Sequence, residues 1–149
     1  LKFHKCQQQH THATIALIDI DHFKQINDTH GHIVGDAVLR QLSLELRRNL
    51  RENDLAGRYG GDEFCVILPQ MTQHEAARVM ERMRETFSNY RAPNIPELRV
   101  SLSIGLADFQ PSFKDAAMWL NAADRALYAA KDTGRNRVNM SDERVAYSA

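Results

Sequence analysis

Two acidic stretches have the makings of a metal and phosphate site. Asp19 lies at the end of a short apolar run over residues 14–20, and Asp62-Glu63 follows the pair Gly60-Gly61. Paired carboxylates with open coordination positions hold Mg²⁺, which also takes water and phosphate oxygens. A metal so held neutralises a triphosphate and activates a hydroxyl for in-line attack at phosphorus. A single acid at a strand end is more simply a solvated turn residue; an acidic pair directly after two glycines is harder to read that way. Side chains alternate along a strand, so spacing alone leaves open which of Asp62 and Glu63 faces Asp19. Gly60 and Gly61 also remove side chains where a base or phosphate could approach closely.

For these acids to meet, two strand ends must reach one edge of a sheet. Residues 14–20 are β-branched and almost continuously apolar, as a buried central strand requires. Asp21 is placed to cap the short helix that follows, and Gly31 and Gly35 punctuate the next loop. From Val34 a helix is predicted, with Val34, Val38, Leu39, Leu42 and Leu46 on one face and Arg47, Arg48 and Arg51 at its end. Gly60-Gly61 reads as a hairpin turn using positive φ angles. A second helix spans residues 73–88. A strand over 98–107 alternates Val100, Leu102, Ile104 and Leu106 with Arg99, Ser101, Ser103 and Gly105. A third helix covers 112–132, and 137–140 forms a last strand. The order β-α-β-β-α-β-α-β predicts an α+β fold with a ferredoxin-like βαββαβ core, a mostly antiparallel sheet flanked by helices.

The chain has 149 residues, the size of one domain. Nineteen basic side chains balance nineteen acidic ones, which argues against binding nucleic acid polymer through a bulk basic field. An anionic ligand must then be held by a local site. Cys6 and Cys65 match no zinc or redox spacing. No apolar stretch is long enough to span a bilayer and no signal peptide opens the chain, so the domain is expected to be cytoplasmic. Residues 1–12 read as a helix end and a polar turn, suggesting a C-terminal piece of a longer multidomain protein. Any membrane contact would come through segments outside this chain.

Gly60-Gly61-Asp62-Glu63-Phe64 is the unaltered signature of the GGDEF family of diguanylate cyclases, which this sequence resembles. The run from Asp19 to Asp28, with Gly31-His32 and Gly35-Asp36, resembles the family's nucleotide motif. Lys131-Asp132-Thr133-Gly134-Arg135-Asn136-Arg137 is similar to its phosphate-binding tail. The agreement covers residues 14–140 in order. His30 stands where an aromatic ring is common, and nothing like the family's opening Asp-x-Leu-Thr motif precedes Leu1.

The resemblance implies a palm-like fold shared with nucleotidyl cyclases and polymerases, and an enzyme that joins two GTP into cyclic di-GMP across a homodimer. It implies Mg²⁺, with Mn²⁺ as the alternative, two per site, held by Asp19, the Ile20 carbonyl and Asp62. Asp62 would take the proton of the 3′-hydroxyl, with Glu63 the second choice. Asn27 and Asp36 would read guanine and His32 would sit beside the nucleotide. Amides near Phe23 and Lys24 would cradle phosphates. Lys131 and Arg135, four apart on a helix end, would reach the β- and γ-phosphates from one face.

Arg51-Glu52-Asn53-Asp54 resembles the family's inhibitory site for cyclic di-GMP, with Arg78 or Arg82 as the second arginine. Without the resemblance it reads as an ion pair within a helix. The rival functions are a silent regulatory module that binds GTP or cyclic di-GMP, an RNA-binding domain, and a cyclase making a cyclic mononucleotide. RNA binding on this topology needs exposed strand aromatics, and residues 14–20 have none.

Overall fold

The computed structural model describes residues 12–142. The helix end read at the start of the chain, with Cys6, lies outside them. Strand β1 (Ala13–Ile20) is buried along its whole length, because it has strands on both sides and helices on both faces. It pairs antiparallel with β3 (Glu63–Pro69) on one side and with β4 (Leu102–Asp108) on the other. Strand β2 (Leu55–Arg58) extends the β3 edge, and β5 (Arg137–Met140) joins β4 in parallel. The sheet order is β2-β3-β1-β4-β5. The helices between them are α1 (Phe23–His30), α2 (His32–Asn49), α3 (Gln73–Ser88) and α4 (Ala116–Asp132). This is the predicted ferredoxin-like core with a parallel strand added at one edge.

The period-2 alternation of β1 divides the interior into two cores. Ala16, Ile18 and Ile20 pack with Leu102, Ile104 and Leu106 against Val38, Leu42, Met80, Met83 and Phe87 of α2 and α3. Ala13, Ile15 and Leu17 face Trp119, Ala123 and Leu127 of α4. Helix α3 begins at a capping box, where Thr72 accepts from the Glu75 N–H and the Glu75 side chain accepts from the Thr72 N–H.

Several local expectations shift. Helix α2 begins at His32, so Gly35 lies inside it rather than in a loop, and Gly31 at φ 90° turns the chain between α1 and α2. Helix α4 begins at Ala116 because Asp115 caps it, accepting from the Met118 N–H. The positive-φ glycines among the described residues are Gly31 and Gly134, so Gly60 and Gly61 contribute their lack of bulk rather than a left-handed turn. The polar side of β4 does not face water, since Ser103 and Gly105 are buried. Asp21 does not cap α1: its carboxylate is buried and accepts from Ser101, just before β4, and from Ser103 on β4. His22 takes the cap position at φ 57°, with no side-chain hydrogen bond. No helix among the described residues is long and apolar enough to cross a membrane.

At Gly105 helix α4 lies close against the sheet. A Cβ there would lie 2.2 Å from the Leu127 nitrogen and 2.4 Å from the Ala123 oxygen. Both are backbone atoms and cannot swing aside as a side chain would. Gly105→Ala is therefore expected to cost about 1–3 kcal/mol or more, seen as a lowered midpoint in thermal unfolding.

Candidate functional site

The acids meet as the sequence suggested. In the β1–β3 register Asp19 pairs with Glu63, and cross-strand partners share a face. Asp62, in the turn just before β3, accepts from the Ile20 N–H through its carbonyl at 3.4 Å, and its carboxyl is a hydrogen-bonding neighbour of Asp19. Lys131, in the last turn of α4, forms an ion pair with Asp19 Oδ2 and feels the charges of Glu63 and Asp62 as well. Both candidate acids after the glycines thus lie at the site, one through the turn and one through register.

The electrostatics follow from crowding and burial. Burial, aided by contact with Asp62, pushes Asp19 up to about 7, against the opposing pull of Lys131. Burial works against the Lys131 charge, but the hydrogen bond and charge of Asp19 together with the charges of Glu63 and Asp62 outweigh it, and the lysine is raised. Asp19 Oδ1 is buried without a hydrogen-bond partner, which normally marks a position reserved for something else. A hard cation suits that oxygen. Asp19 and Asp62 supply oxygen donors of the kind Mg²⁺ takes. Among the described residues no group of three or more His, Cys, Asp or Glu could hold a metal, so phosphate and water would complete the shell.

There is a second orphan. Asn27 Oδ1 in α1 is also buried and unpartnered. A Cβ on Gly35 would stand 1.7 Å from it, so glycine is what admits the Asn27 amide against α2. Asp36, exposed in the first turns of α2, borders a cavity of about 380 Å³ with Leu39, Arg40, Ser43, Arg58 and Phe64. Sequence reasoning gave Arg58 no role. Its Nε and Nη2 donate to the Gly61 carbonyl at 3.0 and 2.5 Å, fixing the glycine turn at the cavity wall. Its only signal was its place just before the glycines. His32 is exposed at the start of α2, and Phe23 and Lys24 open α1, whose N-terminus no side chain caps.

Arg135 is not on the helix with Lys131. Helix α4 ends at Asp132, and Arg135 follows Gly134 in a left-handed turn at φ 62°. Its N–H bonds to the Ala130 carbonyl at 2.9 Å, and its Nη1 reaches the Lys131 carbonyl at 3.4 Å. The two cations are neighbours through a turn rather than along one helix face.

Arg51 and Asp54 lie beyond the end of α2, so theirs is not an intrahelical pair. Arg51 Nε and Nη2 grip Asp54 Oδ1 at 3.1 and 2.7 Å, and Nη2 also donates to the Pro69 carbonyl at 2.7 Å. On α3, Arg82 Nε donates to Asn49 Oδ1 at 3.3 Å, which sets it beside the end of α2, while Arg78 is exposed on the same helix.

The sequence matches the family model described as diguanylate cyclase, GGDEF domain, over residues 1–137. It is 42% identical over 140 residues to the probable diguanylate cyclase DgcC of Escherichia coli, covering 94% of this chain and 38% of that protein. The chain thus spans well under half of that relative. Among solved structures, the GGDEF domain of DgcB from Caulobacter crescentus in complex with c-di-GMP superposes with a TM-score of 0.87 at 34% identity, covering 92% of this chain and 82% of that one. The active GGEEF domain of a diguanylate cyclase from Vibrio cholerae superposes with a TM-score of 0.89 at 30% identity, covering 95% and 90%.

The raised Asp19 makes a prediction about stability. Folding carries its carboxyl from the ordinary value of 3.8 up to about 7. What it contributes is therefore complete below the lower value and lost as pH rises through the higher. With a chelator present, Asp19→Asn should gain stability relative to wild type as pH rises from 4 to 7. Melting curves across that range check this, and a difference that does not change with pH would contradict it.

Proposed function

The chain belongs to the diguanylate cyclase GGDEF domain family, and from that premise we propose that it condenses two GTP into cyclic di-GMP with release of two pyrophosphates. The observation that carries the reading is the meeting of Asp19, Asp62 and Glu63 around Lys131. Mg²⁺, or Mn²⁺ in its place, two per site, would supply charge neutralisation at the phosphates and a more acidic attacking hydroxyl. Asp19, the Ile20 carbonyl and Asp62 would hold it.

The rest falls to the chain's own groups. Asn27, whose Oδ1 is buried without a partner, accepts from the guanine edge, and Asp36 completes the recognition. His32 sits beside the nucleotide. The amides of Phe23 and Lys24 meet phosphate oxygens at the start of α1. Lys131 and Arg135 take the β- and γ-phosphates. Asp62 accepts the 3′-proton, with Glu63 beside it. As the 3′-oxygen bonds to the α-phosphorus of the other GTP, the bond to the bridging oxygen breaks and pyrophosphate departs. Two domains face one another as a homodimer so that the two attacks complete the ring. The protein's contribution is mainly positioning and preorganised charge.

Away from this site, Arg51 and Asp54 bind the product as an inhibitor, with Arg82 as the second arginine because it already lies against the end of α2. Arginine suits both guanine and phosphate through its paired donors.

Incubation with GTP and Mg²⁺, with products resolved by chromatography, tests the activity. Cyclic di-GMP is expected, and Asp62→Ala should slow its formation by about 100-fold or more. GTP binding without product, even in a dimerising fusion, would instead make this a silent regulatory module. Cyclic GMP as the product would place it among mononucleotide cyclases.

For the inhibitory site, Arg51→Ala should leave the initial rate unchanged and raise the product concentration needed for inhibition by about tenfold or more. An unchanged inhibition constant would reject the assignment.

A further inference from the structure

Asp21 is a buried carboxylate for which the reaction has no role. It lies two residues after Asp19, yet both of its oxygens are engaged within the protein. Oδ1 accepts from Ser103 Oγ at 2.6 Å. Oδ2 accepts from Ser101 Oγ at 2.6 Å and from the Asn136 N–H at 3.0 Å. The Asp21 N–H donates to the Ser101 carbonyl at 2.9 Å. A carboxylate so enclosed is a tie between elements, and it joins the end of β1, the start of β4 and the turn after α4.

That turn has an unusual backbone. Gly134, Arg135 and Asn136 sit at φ 127°, 62° and 49°. Glycine accepts this readily, but two successive non-glycine residues in the left-handed region persist only where their surroundings hold them. Asn136 is held from two directions. Asp21 takes its N–H, and Arg84 of α3 donates through Nη1 to its Oδ1 at 2.6 Å. Arg84 is itself steadied by an ion pair with Glu81. Arg137 Nε closes the turn on the Arg135 carbonyl at 3.0 Å.

We propose that Asp21 is a positioning residue which, with Arg84, clamps Asn136 and so presents Arg135 to the terminal phosphates of the nucleotide. The inference rests on the reading of Lys131 and Arg135 as phosphate-binding groups. Charge is not what Asp21 supplies to the reaction. It fixes the backbone of the turn, and an arginine placed from a fixed backbone loses less freedom when it takes up phosphate.

The test separates a phosphate-directed effect from general damage by comparing two ligands in calorimetry with Mg²⁺. GTP carries the β- and γ-phosphates and GMP lacks them; each is used in its 3′-deoxy form, which has no attacking hydroxyl and is not turned over. Wild type should bind GTP more tightly than GMP. Asp21→Ala removes both acceptors, and it should weaken GTP by about tenfold while GMP changes by less than about twofold. Arg84→Ala should shift GTP in the same direction, and it leaves the buried carboxylate intact if the first variant does not fold. Equal losses for GTP and GMP in the folded variants, or no loss, would overturn the clamp while leaving the phosphate reading intact. A wild type that does not distinguish GTP from GMP would overturn the phosphate reading, and the clamp with it.

Discussion

Like charges gathered in a partly dry place constrain this molecule more than any other feature. Asp19 and Asp62 are close enough to bond, Glu63 stands on Asp19's face of the sheet, and all of them act on the Lys131 ammonium. Asp19, buried and beside Asp62, resists ionising without a compensating cation. Lys131 meets part of that need, and the proton drawn to Asp19 by its raised affinity meets another part. The orphaned Asp19 Oδ1 marks what remains, and a divalent ion is the natural remedy. The site is therefore strained in its electrostatics before any ligand arrives, a common condition of sites built to stabilise charge in a reaction.

Much of the fold serves to hold this crowd in register. Strand β1 is buried by β3, β4 and helices on both faces, so Asp19 has little room to retreat from its neighbours. The close seat of α4 on Gly105 brings the end of that helix, and Lys131 with it, to the end of β1. Helix α1 follows β1 after two residues, so Asn27 comes one helical turn into the helix that leaves the Asp19 end of the sheet. A packed interior resists small displacements, which makes the helix-to-sheet contacts part of the site's geometry rather than mere support.

What could be read in the sequence was whatever depended on local pattern. The apolar run at 14–20, the helical spacing of apolar residues over 73–88 and the Gly-Gly pair gave β1, α3 and the hairpin close to their observed bounds. The meeting of Asp19 with the acids after the glycines followed from placing two strand ends side by side. What stayed hidden needed contacts across the fold. Asp21 looks like a helix cap by spacing, and only the β1–β4 register brings Ser101 and Ser103 to its carboxylate. Gly35 looks like a loop glycine, and only the packing of α1 on α2 gives the reason for it. Lys131 and Arg135 are four apart, as on a helix face, but the left-handed turn at Gly134 ends the helix between them.

The central claim is that the cluster at Asp19 is a metal and triphosphate site that Lys131 partly neutralises until the nucleotide takes it over. A crystal structure of the chain with Mg²⁺ and a non-hydrolysable GTP analogue tests this most directly. The account predicts metal density between Asp19 and Asp62, the Lys131 ammonium drawn from Asp19 to the terminal phosphates, and Asn27 Oδ1 bonded to guanine. A nucleotide bound elsewhere, with Lys131 still on Asp19 and no metal between the acids, would contradict it.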